Sequence, residues 1–177
     1  MWKKLIVGFG LLLVLVMLFA FFYLQRINID EPELSLEEFR NIEIKQVNDS
    51  LLTCKYGWLR KNNHGFWEMY LEGNAVERGV AFGRLTQQLM HEKEDAFISE
   101  IKKRIPSENY LNFLRYLVAW FNRDLDKYIP EEIRHEIYAG SQYMSDEFDF
   151  IGPKYMRSLN YHAAHDIGHA LQNMNLV

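Results

Sequence analysis

The sequence predicts an α+β chain, mostly helical, with a β-hairpin and one membrane-spanning helix at its amino end. Three observations carry this. Leu5 to Leu24 is an apolar run without a charge, Leu51 to Leu71 alternates in strand fashion about a turn, and from Gly73 onward Asn, Ser and Pro punctuate a helical periodicity.

The amino-terminal run is rich in Leu, Val and Phe, and at about 1.5 Å per residue it is long enough to cross roughly 30 Å of hydrocarbon. A cleaved signal peptide has a shorter apolar core and a small-x-small site. Phe21-Phe-Tyr-Leu-Gln-Arg offers no such site, so an uncleaved anchor is expected. Lys3 and Lys4 precede the run and Arg26 follows it, which favours a cytoplasmic amino terminus, a single pass through the cell membrane and an extracytoplasmic main domain. The resulting division is an anchor at 1–26, an acidic, Pro-containing stalk at 27–50 and a domain at 51–177. Within the stalk, Ser35-Leu-Glu-Glu-Phe-Arg has a capping residue and a glutamate three positions on, a short helical candidate.

Leu51 to Leu59 and Phe66 to Leu71 read as two strands flanking the turn residues Lys61-Asn-Asn-His-Gly. Asn74 followed by Glu77 is a capping-box start for the next element, a long helix that ends at Pro106. Gly79 and Gly83 fall on one face of it. Each costs about 1 kcal/mol relative to Ala, so their placement implies close approach of another element. Ser107 caps a second helix, Pro130 opens a third with Ile133, Ile137 and Tyr138 inward, and Gly152-Pro153 opens a fourth that runs to the end.

Composition narrows the function. The net charge of -4 is spread along the chain, with no basic patch for nucleic acid. A single cysteine, Cys54, rules out an internal disulfide framework and a Cys-based metal cage, and its apolar neighbours suggest a buried structural thiol. Three of the six histidines lie between His162 and His169. At 100° per residue, His162, His165, Asp166 and His169 form one polar stripe opposite Ala163, Ala170, Leu171 and Met174. His165 and His169 have the i, i+4 spacing of zinc enzymes, but the glutamate that would complete the metalloprotease motif is missing, and no metal or cofactor is expected. The stripe reads either as a hydrated or inter-chain face or as support for an active site built by another chain. Arg78, beside Gly79, is a candidate to bind an anion or carboxylate, a surface salt bridge being the commoner fate of such an arginine, while Glu131-Glu132 suits a helix amino terminus. The apolar pattern is still running at Val177, which points to a core continued by further polypeptide and to Val177 as a processing terminus.

The segment Tyr70-Leu-Glu-Gly-Asn-Ala-Val-Glu-Arg-Gly-Val-Ala-Phe-Gly, with Gly73, Gly79 and Gly83, resembles the opening of penicillin acyltransferase-like proteins, the isopenicillin N acyltransferase family. Tyr128-Ile-Pro-Glu-Glu-Ile-Arg-His-Glu-Ile-Tyr-Ala-Gly is similar to a Pro-Glu-Glu helix of the same family. The resemblance implies a self-cleaving N-terminal-nucleophile (Ntn) hydrolase with an αββα core, of which this chain is the smaller α chain. It places the nucleophile, a cysteine, at the start of a larger β chain from the same precursor. There a free α-amine titrating near 8 activates the thiol. The implied function is an amidase or N-acyltransferase acting on an acyl-containing small molecule or lipid, with no catalytic residue in this chain. His165, Asp166, His169, His162 and Arg78 are then supporting or interface residues. Two other readings fit the residues: a membrane-tethered helical adaptor for a partner protein, and a metal hydrolase built on His165 and His169.

Overall fold

The computed structural model describes residues 2–39 and 41–164, together with His169 and Gln172. Among the described residues there are five α-helices and one antiparallel sheet: α1 (Trp2–Arg26), β1 (Lys45–Asn48), β2 (Leu51–Cys54), β3 (Gly57–Lys61), β4 (Trp67–Leu71), α2 (Ala75–Arg104), α3 (Glu108–Phe121), α4 (Glu131–Ser141) and α5 (Lys154–His162).

The β-hairpin expectation is corrected to a four-stranded meander of order β1-β2-β3-β4. The run Leu51 to Leu59 is broken by a tight turn at Lys55-Tyr56, where Cys54 pairs with Gly57. A side chain at Gly57 would collide with the Tyr70 carbonyl, so glycine is what lets β3 lie close to β4. The turn between these strands is the one the sequence marks. The Asn62 side-chain oxygen accepts from the His64 and Phe66 amides at 2.9 and 3.0 Å, and Gly65 takes φ +85°. β1 comes from the segment read as a stalk, which packs on the domain. Phe39 and Ile42 are buried against Val80 and Ala139, with Leu36, Cys54 and Tyr56 packed around them. The short helical candidate is a single 3-10 turn over Glu37–Phe39.

The helix starts fall where their caps predict. Asn74 accepts from the Glu77 amide at 3.0 Å while its own amide donates to Glu77 Oε2 at 2.8 Å. Ser107 caps α3, and Pro130 and Pro153 precede α4 and α5. The glycines of α2 have their partner in α4. A Cβ at Gly79 would overlap the Glu136 carbonyl and lie 2.9 Å from Ala139 Cβ, and one at Gly83 would come within 2.6 Å of the Gly140 carbonyl. Val80 and Ala139 are wholly buried beside this seam. On α4 the expected inward Ile133 is exposed, because the seam is formed by small residues further along the helix.

One face of the sheet is covered. Leu59 is buried there, and strand alternation places Leu52 and Met69, its cross-strand neighbours, on that same face toward α2. The opposite face carries Trp58 stacked on Tyr70, with Arg60 paired to Glu68 across the strands at 2.5 Å.

α1 is long and apolar enough to cross a bilayer, with mean hydropathy 3.0 over its most apolar window and none of that window buried. Its last turn clasps α3 and the turn that follows it. The Tyr23 hydroxyl donates to the Tyr116 carbonyl at 2.9 Å, its ring stacks on Trp120 at 5.1 Å, and Arg26 pairs with Asp124 at 2.8 Å. Hydrogen bonds from Lys127 and Arg26 hold the Asp124 carboxyl down at about 2, against an ordinary 3.8. A carboxyl lowered on folding contributes stability that is present above its unfolded value and lost as pH falls through its folded one. The clasp should therefore be intact at neutral pH, weaken below about pH 4 and be lost near pH 2. Carbon-detected NMR titration of Asp124 in micelles should show the low midpoint, and Arg26→Gln should raise it. An ordinary midpoint in the unaltered chain would refute the clasp.

Candidate functional site

The residues singled out by the sequence separate into two groups. Arg78 joins α2 to α4. Its Nε and Nη2 donate to Glu136 Oε2 at 3.0 and 2.6 Å, Nη2 also reaches Glu132 Oε1 at 3.0 Å, and Nη1 donates to the Gly73 carbonyl at 2.9 Å. A free anion would have to displace these carboxylates, so the guanidinium acts here as a clamp across the glycine seam. The Pro-Glu-Glu run supplies half of it through Glu132, while Glu131 lies 3.6 Å from His135. His162 is the exposed last residue of α5, and His169 is also exposed. His165, Asp166 and Val177 lie outside the described residues. No group of three or more His, Cys, Asp or Glu side chains with metal-holding geometry occurs among the described residues.

The most buried polar cluster was not marked by any motif. Glu94, in the middle of α2, is 2% exposed and Arg157, on α5, is 1% exposed. Arg157 Nη1 donates to Asp149 Oδ1 at 2.7 Å and to the Gly152 carbonyl at 3.1 Å, and Nη2 donates to the Ser145 carbonyl at 2.6 Å. Its Nε lies 3.1 Å from Glu94 Oε1 but makes no hydrogen bond of acceptable geometry, so that contact is electrostatic. The Tyr161 hydroxyl donates to the same oxygen at 3.0 Å. Burial first, and then the neighbouring Glu94 charge, push Tyr161 far above its ordinary range and keep it a donor. Glu94 Oε2 has no hydrogen-bond partner among the described residues. The cluster fastens α5 and the loop before it to α2.

Beside it lies an open groove of about 560 Å³, bounded by Ile44, Leu52, Leu85, Gln88, His91 and Tyr143 and reaching Arg84 and Ser145. Arg84 donates to the Ile42 carbonyl at 3.0 Å and sits 5.7 Å over the Tyr143 ring, while its buried Nε has no hydrogen-bond partner among the described residues. Burial raises the Tyr143 phenol, offset in part by Arg84. His91 packs 5.6 Å from the Phe148 ring, with Nε2 3.7 Å from Glu147. An aliphatic wall facing a cation and neutral hydrogen-bonding groups suits an amphipathic molecule with a carboxylate or amide head. The Ser145 hydroxyl is engaged in capping the Glu147 amide at 3.1 Å. Cys54 packs against the Phe39 core, where burial raises its thiol, the reverse of what activation requires.

Sequence reasoning passed over Glu94 although a signal was present. At 100° per residue Glu94 shares the face of Met90, Phe97 and Ile101, and a carboxylate inside an apolar stripe marks a buried ion that needs a partner. Comparison with protein-family models, with curated proteins and with solved structures returns no match to this chain.

Proposed function

We propose that the chain is the smaller, membrane-anchored α chain of a two-chain amide hydrolase or N-acyltransferase of the Ntn type, with a cysteine at the start of a larger β chain from the same precursor as nucleophile. The observation that supports it is the half-covered sheet. α2 packs on one face, and among the described residues the other face leaves Tyr70 exposed and Trp58 half-buried. Among the described residues β1 and β4 each pair on one side only. An αββα core is two such sheets laid face to face with helices outside, so this arrangement has the form of one half awaiting the other. Even on the α2 side the cover stops short of the β4 edge, where Trp67 and Met69 stay exposed, an aggregation hazard unless a partner covers them.

In this reading α1 holds the assembly at the cell membrane, with the amino terminus cytoplasmic and the domain outside. The groove at Arg84 and Tyr143 contributes to the wall that receives an acyl-containing small molecule or lipid. His162, His165, Asp166 and His169 are supporting or interface residues for the partner chain. No cofactor takes part.

Purification from native membranes through a tag at the amino terminus tests the reading. A larger companion polypeptide whose first residue is cysteine is the expected result, and the pair should hydrolyse or transfer an acyl amide while the 177-residue chain alone does not. Absence of any companion, or acyl-amide hydrolysis by the isolated chain, would overturn it.

A further inference from the structure

We infer that α3 is an interfacial helix, seating its aromatic face among the phospholipid headgroups of the leaflet from which α1 emerges. The inference rests on the reading of α1 as a membrane span and extends it to a second element.

At 100° per residue Phe113, Tyr116 and Trp120 fall within an arc of about 60°, with the buried Leu114 about 100° beyond Phe113 on one side and the buried Ala119 about 60° beyond Tyr116 on the other. Phe113 is 53% exposed and Tyr116 39%, while Phe121, at the end of the helix and about 80° round from Phe113, is exposed as well. A soluble helix would turn such a stripe inward. What covers it follows from continuity with α1. Leu5 to Leu24 occupies roughly 30 Å, so Tyr23 stands within one turn of the hydrocarbon boundary. Tyr116 and Trp120 touch Tyr23 directly, so they lie at that depth as well, the zone in which Trp and Tyr are enriched. Phe113 stands about two turns from Trp120 on the same face, which carries the contact outward from the anchor.

The surrounding charges agree with a headgroup environment. Phe150 is exposed beside this region, Arg115 donates to its carbonyl, and Lys102 lies 5.5 Å over its ring. Lys102, Lys103 and Arg104 end α2 just before α3 begins. Cations next to exposed rings match the anionic headgroups of a phospholipid surface.

The test uses the full chain with Cys54→Ala, reconstituted in phosphatidylcholine vesicles containing phosphatidylglycerol, with single nitroxide labels. Phe113→Cys probes the stripe, and Asn112→Cys probes it without removing an aromatic ring. Leu12→Cys probes the anchor and Gln46→Cys the sheet. The ratio of oxygen to water-soluble nickel-chelate accessibility should be highest at 12, intermediate at 113 and 112, and lowest at 46, with 113 several-fold above 46. A deep label at 12 with 113 and 112 both matching 46 overturns the inference while the anchor stands, and returns the stripe to water or to a protein partner. A label at 12 as accessible to nickel as that at 46 overturns the anchor and this inference together.

Discussion

Replacing Arg157 with methionine should cost about 3–5 kcal/mol of unfolding free energy, the range found when one partner of a buried ion pair is removed. The variant would leave Glu94, 2% exposed, with the Tyr161 hydroxyl as its one partner among the described residues. It would also strip the Ser145 and Gly152 carbonyls of their donor. Removing the other partner should be milder, since in Glu94→Gln the guanidinium keeps Asp149 at 2.7 Å and both carbonyls. Adding Glu94→Leu to Arg157→Met should recover part of the loss, because an apolar pair avoids the desolvation of both charges. Recovery stays incomplete, as the two carbonyls remain unmatched. Urea unfolding of the detergent-solubilised chain, followed by far-UV circular dichroism, gives all four values. A single Arg157→Met variant within about 1 kcal/mol of the parent would mean that the cluster is hydrated and does not hold α5 in place.

The contrast between that cluster and the helix ends shows which parts of the fold are local. Asn74 with Glu77, Ser107, Pro130 and Pro153 mark boundaries because each acts on backbone groups within a few residues, and the structure starts its helices beside them. Gly79 and Gly83 announced a close neighbour without naming it. The neighbour, Glu136 to Gly140, lies more than fifty residues away, and nothing at the glycines specifies it. The extra strands were hidden for different reasons. β1 reads as polar because it is an edge with all four residues exposed. The turn at Lys55-Tyr56 was missed because Leu51 to Leu59 is apolar on both sides of it and carries no Asn-Gly signal. Of the candidate site, Arg78 was visible as a residue in search of a carboxylate, and Glu132 and Glu136 are those carboxylates. The Glu94–Arg157 pair required knowing that α5 returns to the middle of α2. The histidine stripe is described only at His162 and His169, both exposed, so its inter-chain role rests on the functional proposal.

The seam between α2 and α4 gives the second large effect. Gly79→Ala should destabilise the domain by about 2 kcal/mol even though alanine is the better helix former by about 1 kcal/mol. The new methyl would overlap the Glu136 carbonyl and press within 2.9 Å of Ala139 Cβ, and the first of these is backbone that cannot rotate aside. Relief requires α4 to back away, which would stretch Arg78 from Glu132 and Glu136 and open the core at Val80. Adding Ala139→Gly removes only the side-chain half of the clash, so it should restore less than half of the loss. Gly83→Ala meets the Gly140 carbonyl at 2.6 Å and Tyr143 Cδ2 at 2.5 Å, and because the tyrosine ring can shift, its cost should be the smaller of the two. A drop in melting temperature of about 4–8 °C for Gly79→Ala would match this free energy in a domain of this size. An alanine variant that melts at or above the parent would show that α2 and α4 do not touch at this point, and the close approach inferred from the glycine spacing would have to be sought on another face.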